Sequence, residues 1–265
     1  MSHPTSTTPP RPRGEGASTG RVVLVGGGPG AEDLLTVRAH RHLSRATVVV
    51  TDRLAPRGVL RDLGPHVEIV DVGKTPYHHP VPQHEINRLL VERARAGDYV
   101  VRLKGGDPYV FGRGGEELAH CRAAGIECEV VPGVTSAFAA PAAADIPVIH
   151  RGVSTGVLLV SGHDELSPQV LADWPHTVVV LMGMGRLREL CAALVAAGRP
   201  AGTRVAVVQQ AWTPDERIVR GDLASIADLV LAERITNPAT IVVGPVVDAL
   251  PLGDAHAAHA VPVSV

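Results

Sequence analysis

The chain has 265 residues, of which 45% are hydrophobic and 20% charged, values typical of a globular protein with one large domain or two small ones. Its formal net charge of -2 argues against nucleic-acid binding, because nucleic-acid binders carry a clear basic excess. Three cysteines without zinc-binding spacing favour a reducing compartment. No apolar run approaches ~18 residues and the N-terminus lacks a signal-peptide core, so we expect a cytoplasmic protein with no membrane partner.

The first part of the chain predicts a leader, followed by strands and a capped helix. Residues 1–20 are rich in Pro, Ser, Thr, Gly and Arg and predict a disordered leader. The run Arg21–Gly27 predicts a strand that breaks into a glycine turn, after which Thr36 can cap a helix. A second strand ends at Asp52, and a weaker one covers Val67–Val72. Asp52 therefore stands at the carboxyl end of a strand, where open α/β sheets bind their ligands.

The segment Arg102–Glu117, which we call the central loop, is the most distinctive stretch of the sequence. It reads RLKGGDPYVFGRGGEE, follows a predicted buried strand at Tyr99–Val101 and precedes a predicted helix over Glu116–Ala124. Its five glycines lie within eleven positions, a density that costs chain entropy unless positive φ angles or close backbone approach require it. Loops of this kind usually contact a ligand.

The composition of the sequence changes after a further predicted strand, IECEVV. The Pro132–Gly133 pair breaks that strand, and the small residues of Thr135–Ala144 predict a closely packed helix, so we place a domain boundary here. We predict an N-terminal α/β lobe over residues 21–132 and a C-terminal α/β lobe over residues 133–249. Residues 250–265 are mainly Ala, His and Pro without a period, and predict a flexible tail.

The second lobe is expected to repeat the alternation of strands and helices. Predicted strands lie at Val157–Ser161, Thr177–Met182, Arg204–Val208 and Thr240–Val243, and a predicted hairpin includes Arg217–Arg220. Predicted helices lie at Leu187–Ala197 and Leu223–Glu233. The sequence thus predicts an α/β protein of two lobes.

The first glycine turn allows a dinucleotide-binding interpretation. Gly26, Gly28 and Ala31 satisfy the pattern G-x-G-x-x-A after a strand, and Asp52 follows about twenty residues further on. A nicotinamide oxidoreductase is therefore one candidate function. Against it, Pro29 stands where backbone donors should face a pyrophosphate, and proline has no N–H to donate.

A second interpretation rests on a series of motifs that flank the central loop. They are GGGPG with DLLT, TDRL (Thr51–Leu54), VGK (Val72–Lys74), QHEIN (Gln83–Asn87), VPGVTSA (Val131–Ala137), IPVIHRG (Ile146–Gly152), SGH (Ser161–His163) and MGM (Met182–Met184). In this order, and with the central loop as the most specific part, they resemble the tetrapyrrole methylases, most closely the members that methylate uroporphyrinogen III. The resemblance covers the sequence from Val22 to Val247.

The resemblance implies two α/β lobes of the tetrapyrrole methylase type, with the cofactor cleft between them, usually in a homodimer. It implies S-adenosyl-L-methionine as methyl donor and S-adenosyl-L-homocysteine as product. The implied reaction is C-methylation of uroporphyrinogen III at its C2 and C7 positions to give precorrin-2, toward sirohaem and cobalamin. A methylase of a later corrin precursor and a non-catalytic tetrapyrrole carrier are further alternatives.

The matching motifs also imply which residues bind the cofactor, through glycines that allow close approach and hydroxyls that offer hydrogen bonds. These residues are Pro29, Gly105, Gly106, Asp107, Val110, Thr135, Ser136, Met182 and Ala211. The sequence departs from the family pattern at Ala31, where relatives often carry aspartate. It departs again at Ala211 and Trp212, where relatives tend to carry glycine and threonine, so the cofactor-facing wall is expected to be reshaped there.

Catalytic and substrate-binding residues are implied in the same way. Asp52 and Lys74 match the proposed proton acceptor and proton donor, which would handle the proton lost after C-methylation. Because the substrate is rich in carboxylates, it is expected to contact the basic residues next to the motifs, namely Arg53, Arg102, Lys104, Arg113 and Arg151. The pair His78–His79 has no carboxylate or cysteine partner at ligand spacing, so no metal is expected.

Overall fold

A computed structural model of the protein describes residues 20–73, 81–164 and 167–250. Apart from Gly20 and Leu250, the predicted leader and the predicted tail lie outside these residues. The predicted proton donor Lys74 and the pair His78–His79 also lie outside them.

The first lobe is built on a five-stranded sheet with the order β3-β2-β4-β1-β5, in which every pair of neighbours is parallel. Its strands are β1 (Arg21–Gly26), β2 (Val48–Thr51), β3 (Glu68–Asp71), β4 (Tyr99–Lys104) and β5 (Cys128–Val131). Strands β1 and β2 are nearly unbroken runs of buried Val and Leu, the pattern of a parallel sheet that helices cover on both faces.

Helices cover both faces of this sheet. They are α1 (Val37–Leu43), α2 (Arg57–Arg61), α3 (Gln83–Arg95) and α4 (Gly114–Ala123). Alternate residues of β1 enter separate cores: Leu24 packs with Leu90 of α3, whereas Val23 packs with Leu43 of α1. The predicted cap of α1 is confirmed, because the Thr36 hydroxyl accepts the amide hydrogen of Ala39 at 3.1 Å.

The second lobe contains a five-stranded sheet of order β6-β7-β10-β8-β9. Its strands are β6 (Val157–Ser161), β7 (Thr177–Leu181), β8 (Arg204–Gln209), β9 (Arg217–Asp222) and β10 (Ala239–Val243), and its helices are α5 (Ser136–Ala143), α6 (Pro168–Asp173), α7 (Leu187–Ala196) and α8 (Ile226–Ala232). The pair β6 and β7 is parallel, whereas the other three pairs are antiparallel. The sheet is therefore mixed and does not repeat the first, because β9 returns from β8 as a hairpin and β10 runs against both of its neighbours.

The chain passes from the first sheet to the second between Val131 and α5. Helix α5 belongs to the second lobe, because its buried alanines pack against strands β8 and β10. Two polar contacts fasten it there. The indole N–H of Trp212 donates to the carbonyl oxygen of Ala139 at 2.7 Å, and the Arg220 guanidinium donates to the carbonyl of Ala144. The two α/β lobes implied by the sequence are thus present.

The main local difference from the sequence-based expectation is the length of β4. The strand continues through Arg102 and Lys104, which were expected to begin the central loop. Both side chains are only 4% exposed. Charged residues at a strand end predict a loop unless a buried partner is known, and that partner, Glu117, comes from the helix that follows.

Candidate functional site

The two glycine-rich segments of the first lobe meet at the carboxyl ends of the parallel strands. The Gly27 amide donates to the carbonyl oxygen of Lys104 at 2.7 Å. Gly28 and Gly106 exchange hydrogen bonds, with the Gly28 amide 3.2 Å from the Gly106 oxygen and the Gly106 amide 2.7 Å from the Gly28 oxygen. The first glycine turn and the central loop are therefore joined through their backbones, at the sheet edge where α/β folds bind ligands.

Three glycines make this junction possible. Gly26 ends strand β1, Gly106 follows β4 and Gly133 follows β5. These three strands are adjacent in the sheet. A Cβ atom on Gly133 would lie 2.2 Å from the Gly106 oxygen and 2.7 Å from the Gly26 Cα. A Cβ atom on Gly26 would lie 2.5 Å from the Gly133 nitrogen. Backbones approach so closely here that neither position has room for a side chain.

Gly106 lies beside the start of α5. It adopts a φ of +64°, and a Cβ atom placed on it would lie 3.8 Å from both the Thr135 Cα and the Ser136 nitrogen. Thr135 is the cap of α5, and its hydroxyl accepts the amide hydrogen of Ala137 at 3.3 Å. The structure thus brings Gly106, Thr135 and Ser136 together.

Asp107 fastens the central loop to the segment before α5. One carboxylate oxygen accepts the Tyr109 amide hydrogen at 2.8 Å, and the other accepts the Gly133 amide hydrogen at 3.0 Å. The Val110 amide donates to the carbonyl of Asp107 at 3.2 Å, which closes the turn. The Asp107 carboxylate therefore holds two stretches of backbone in place beside Gly105 and Gly106.

The first glycine turn also contacts the second lobe. A Cβ atom on Gly30 would lie 2.7 Å from the Thr213 Cγ2 and 3.5 Å from the carbonyl oxygen of Ala211. Pro29, the neighbouring residue, is half-buried. Trp212 has a φ of +63°, a conformation that non-glycine residues rarely adopt. The segment after β8, where a departure from the family pattern was expected, therefore lies against the first glycine turn.

Met182 has unusual backbone geometry at the end of β7. Its φ is +58°, and the residue is 40% exposed although it is apolar. The backbone around it is tightly packed, because a Cβ atom on Gly162 would lie 2.4 Å from the Gly183 Cα. A left-handed backbone and an exposed thioether are typical of a position constrained by function. Met182 lies on the second lobe, after a strand that α5 contacts.

Beneath the central loop, Glu117 binds two buried cations. Its carboxylate is 0% exposed and accepts hydrogen bonds from the Arg102 Nε at 3.0 Å and from the Lys104 Nζ at 2.9 and 3.1 Å. Burial, followed by the neighbouring Arg102 charge, lowers the pKa of Lys104 in spite of Glu117. Neither cation is free to face a ligand, which differs from the sequence-based expectation for Arg102 and Lys104.

Asp52 lies at the exposed end of this charged network. One of its carboxylate oxygens accepts the Leu54 amide hydrogen at 3.1 Å, and the other accepts a hydrogen bond from an Arg102 terminal nitrogen at 3.3 Å. Its side chain is 29% exposed, so the carboxylate is both oriented by the protein and accessible from outside. This partly open carboxylate, at the strand end where it was predicted, can accept a proton from a bound molecule.

The other basic residues named from the sequence lie on the surface. Arg53 follows Asp52 and is exposed. Arg113 caps α4 in the left-handed region with a φ of +57°, and its guanidinium donates two hydrogen bonds of 2.7 Å to Glu116. Arg151 is exposed in the turn between His150 and Ser154. All three are accessible to an acidic ligand.

Sequence reasoning missed two members of the site, Glu117 and Gly133. In the pair Glu116–Glu117, only the second residue turns inward, and the sequence carries no apolar periodicity in α4 that distinguishes them. The available signal was charge, because two basic residues in a strand need a buried acidic partner. For Gly133, the signal was a glycine directly after the end of a strand.

Metal sites and membrane-spanning helices are two further features to consider in the described residues. Among residues 20–73, 81–164 and 167–250, no group of three or more His, Cys, Asp or Glu side chains could hold a metal ion. Within the same described ranges, every helix is too short or too polar to cross a membrane.

Comparison with known proteins gives consistent results. The model of the family Tetrapyrrole (Corrin/Porphyrin) Methylases matches residues 21–227. An S-adenosyl-L-methionine-dependent uroporphyrinogen III methyltransferase from Methanosarcina barkeri is 44% identical over 235 residues, which are 86% of this chain and 92% of that protein. A siroheme synthase from Chromobacterium violaceum is 47% identical over 234 residues, which are 86% of this chain and 50% of that protein. The chain therefore spans about half the length of some curated relatives that it matches.

A solved structure is similar over most of the chain. It is the uroporphyrin-III C-methyl transferase from Thermus thermophilus, complexed with S-adenyl homocysteine. The match has a TM-score of 0.76 and 43% sequence identity, and covers 87% of this chain and all of the other. At this level of identity, the two-lobe α/β architecture implied by the motifs is confirmed.

The three-glycine junction generates a prediction about stability. Replacing Gly133 with alanine inserts a methyl group against backbone atoms that cannot turn away, so we expect the free energy of unfolding to fall by about 1–3 kcal/mol. Gly115→Ala is the control, because no atom lies within 4 Å of its added Cβ. Its free energy of unfolding should be unchanged or rise by less than about 1 kcal/mol. Urea unfolding of both variants tests the junction, and equal midpoints would contradict it.

Proposed function

The chain belongs to the tetrapyrrole methylase family, and on that premise we propose that it transfers methyl groups from S-adenosyl-L-methionine to uroporphyrinogen III. The proposed product is precorrin-2, methylated at C2 and C7, which serves the sirohaem and cobalamin branches. The observation that carries this proposal is the junction of Gly26, Gly106 and Gly133 at the same sheet edge as the accessible carboxylate of Asp52. It combines a backbone surface for a cofactor with a proton acceptor for a substrate.

The residues of the junction fit S-adenosylmethionine. Gly106 has no side chain on the side that faces Thr135 and Ser136, so a ligand can approach the backbone of these residues closely. Met182 offers an exposed thioether suited to the flat face of an adenine. We propose that these residues hold the cofactor together with Pro29, Gly105, Asp107, Val110 and Ala211. When bound, the cofactor supplies an electrophilic methyl group.

Asp52 is the proposed proton acceptor. C-methylation of an aromatic pyrrole carbon leaves a proton that the substrate must lose as the macrocycle rearranges, and a carboxylate near the ring can accept it. The Leu54 amide and the Arg102 guanidinium orient the carboxylate, and its partial exposure keeps it within reach of a ligand. Lys74 is proposed as the proton donor by its position in the matching motif.

The carboxylates of the substrate are expected to form ion pairs with accessible basic residues. Arg53, Arg113 and Arg151 are exposed and follow matching motifs or lie within them, so we propose them as substrate contacts. Arg113 is already oriented by Glu116, which limits the entropy lost when its guanidinium binds a carboxylate. Because Arg102 and Lys104 are buried as well as bound by Glu117, we leave them out of the proposed substrate contacts.

We also propose that the active form is a cytoplasmic homodimer. The resemblance implies a dimer, and large exposed apolar side chains on the central loop and α5 support it. These are Tyr109, Phe111 and Phe138, each more than two-fifths exposed in the single chain. Sedimentation equilibrium should give twice the chain mass, and a monomer at micromolar concentration would contradict this part of the proposal.

One assay separates the candidate functions. The protein is incubated with S-adenosylmethionine labelled in its methyl group and with uroporphyrinogen III, under exclusion of oxygen. Transfer of label to the tetrapyrrole, in two additions, supports the proposal. Binding of a nicotinamide dinucleotide without transfer would instead support an oxidoreductase, and binding of the tetrapyrrole without transfer would support a carrier. Transfer only to a later corrin precursor would point to the sister activity.

Gly106→Val tests the backbone surface. A β-branched residue cannot adopt a φ of +64° without strain, and its side chain would fill the space beside Ser136. We expect affinity for S-adenosylmethionine to fall at least about 10-fold, measured by calorimetry. Gly202→Val is the matched control, because no atom lies within 4 Å of its added Cβ and its φ is ordinary. Unchanged affinity in folded Gly106→Val would remove this residue from the cofactor site.

Asp52→Asn tests the proton acceptor. The substitution preserves the shape of the side chain and one of its two acceptor oxygens but removes the base, so turnover should fall by about 10²–10⁴-fold, with little change in cofactor affinity. The control is Asp228→Asn on α8, whose side chain is 71% exposed. If Asp52 merely caps the turn at Leu54, the variant would instead melt at a lower temperature and retain near-normal turnover per folded molecule.

A further inference from the structure

Glu117 is a buried carboxylate with no part in the proposed chemistry, yet it is linked to Asp52 through a single side chain. Glu117 binds the Arg102 Nε, and a terminal nitrogen of the same guanidinium binds Asp52. We propose that Glu117 is a positioning residue, which acts through Arg102 to hold the Asp52 carboxylate in its reactive orientation. The inference rests on the proposed role of Asp52.

The Arg102 guanidinium has its position fixed from several sides. Its Nε donates to Glu117 at 3.0 Å, one terminal nitrogen donates to the carbonyl oxygens of Leu103 at 3.1 Å and Val50 at 3.4 Å, and the other donates to Asp52 at 3.3 Å. Because the group is planar and rigid, fixing the Nε end also fixes the nitrogen that faces Asp52. Glu117, which binds the Nε end with its charge, therefore helps to set the position of the nitrogen that Asp52 binds.

Glu117 also forms ion pairs with two cations at once. The second cation, Lys104, lies on the same face of β4 as Arg102 and binds both oxygens of Glu117. Two carboxylates, those of Asp52 and Glu117, thus face two cations. If the Glu117 charge is removed, both buried cations lose their main counter-charge, and Asp52 is the nearest remaining anion of this network. The Arg102 guanidinium is then expected to shift toward Asp52 and change its orientation.

Helix α4 provides the rigid support that this role requires. Glu117 lies in its first turn, directly after the glycine-rich end of the central loop. The Gln83 side chain of α3 also donates to Glu117 at 3.3 Å, so two helices fix the carboxylate. A movement of α4 would therefore be transmitted through Glu117 and Arg102 to Asp52.

A double-mutant cycle tests the inference. Glu117→Gln should lower kcat about 10²-fold with little change in KM, because a displaced catalytic group costs rate and not ground-state binding. In the Asp52→Asn background, the same substitution should change kcat by less than about 3-fold, because the group that Glu117 positions is already lost. An equal loss in both backgrounds would overturn the inference, since a purely structural residue acts independently of Asp52.

Two further variants make the test independent of folding defects. Arg102→Lys retains the charge but lacks the planar fork, so it should reproduce the loss of kcat and should again have little effect in Asp52→Asn. Glu92→Gln on α3 is the control, because Glu92 is exposed and pairs only with the exposed Arg88 among the described contacts. Wild-type kcat in a folded Glu117→Gln or Arg102→Lys variant would also overturn the inference.

A measurement without substrate separates this inference from the proposed function. The carbon-13 resonance of the Asp52 carboxyl should move in Glu117→Gln and stay in place in Glu92→Gln. If it moves and the wild-type protein transfers no methyl group, the positioning contact stands and the proposed function fails. If it does not move, the positioning role is overturned whatever the protein catalyses.

Discussion

The close contact of three backbones at Gly26, Gly106 and Gly133 is the constraint on which the rest of the site depends. These residues belong to β1 and to the segments after β4 and β5, three adjacent strands of a parallel sheet. Because the three glycines have no side chains, their segments can approach one another closely. The Asp107 carboxylate also accepts a hydrogen bond from the Gly133 amide. Helix α5 begins three residues later, so the same contact determines where the second lobe starts.

The charged network beneath this junction is unusual for the centre of a sheet. Burying an ion costs several kcal/mol, and a buried pair gains little over apolar residues of the same size. An apolar β4 would therefore stabilise the lobe at least as well as one carrying Arg102 and Lys104. What an apolar strand cannot supply is a donor for Asp52 at a fixed position. The network is better explained by its effect on Asp52 than by stability, and the same reasoning separates Glu117 from its exposed neighbour Glu116.

The sequence predicted best those features that depend on neighbouring residues alone. The Thr36 cap, the apolar period of α3 and strand β6 are local patterns, and the structure confirms each of them. The short helix α2 begins after Pro56 and has too few residues to show a period. The extension of β4 and the direction of β10 depend on partners far along the chain, Glu117 in one case and β7 and β8 in the other. The periodicity of a strand or helix carries no information about such partners, although the buried charges of β4 call for an acidic partner.

The segment around Ala211 contacts the first lobe partly through its main chain. The Thr213 side chain and the carbonyl oxygen of Ala211 both lie close to Gly30 at this contact between the lobes. The part made by the Ala211 carbonyl depends on the backbone, so it does not require a particular side chain at this position. Trp212 directs its indole N–H to the Ala139 carbonyl of α5, away from the first glycine turn that Thr213 contacts. The large Trp212 side chain is thereby accommodated against α5, and the contact between Gly30 and Ala211 stays free of it.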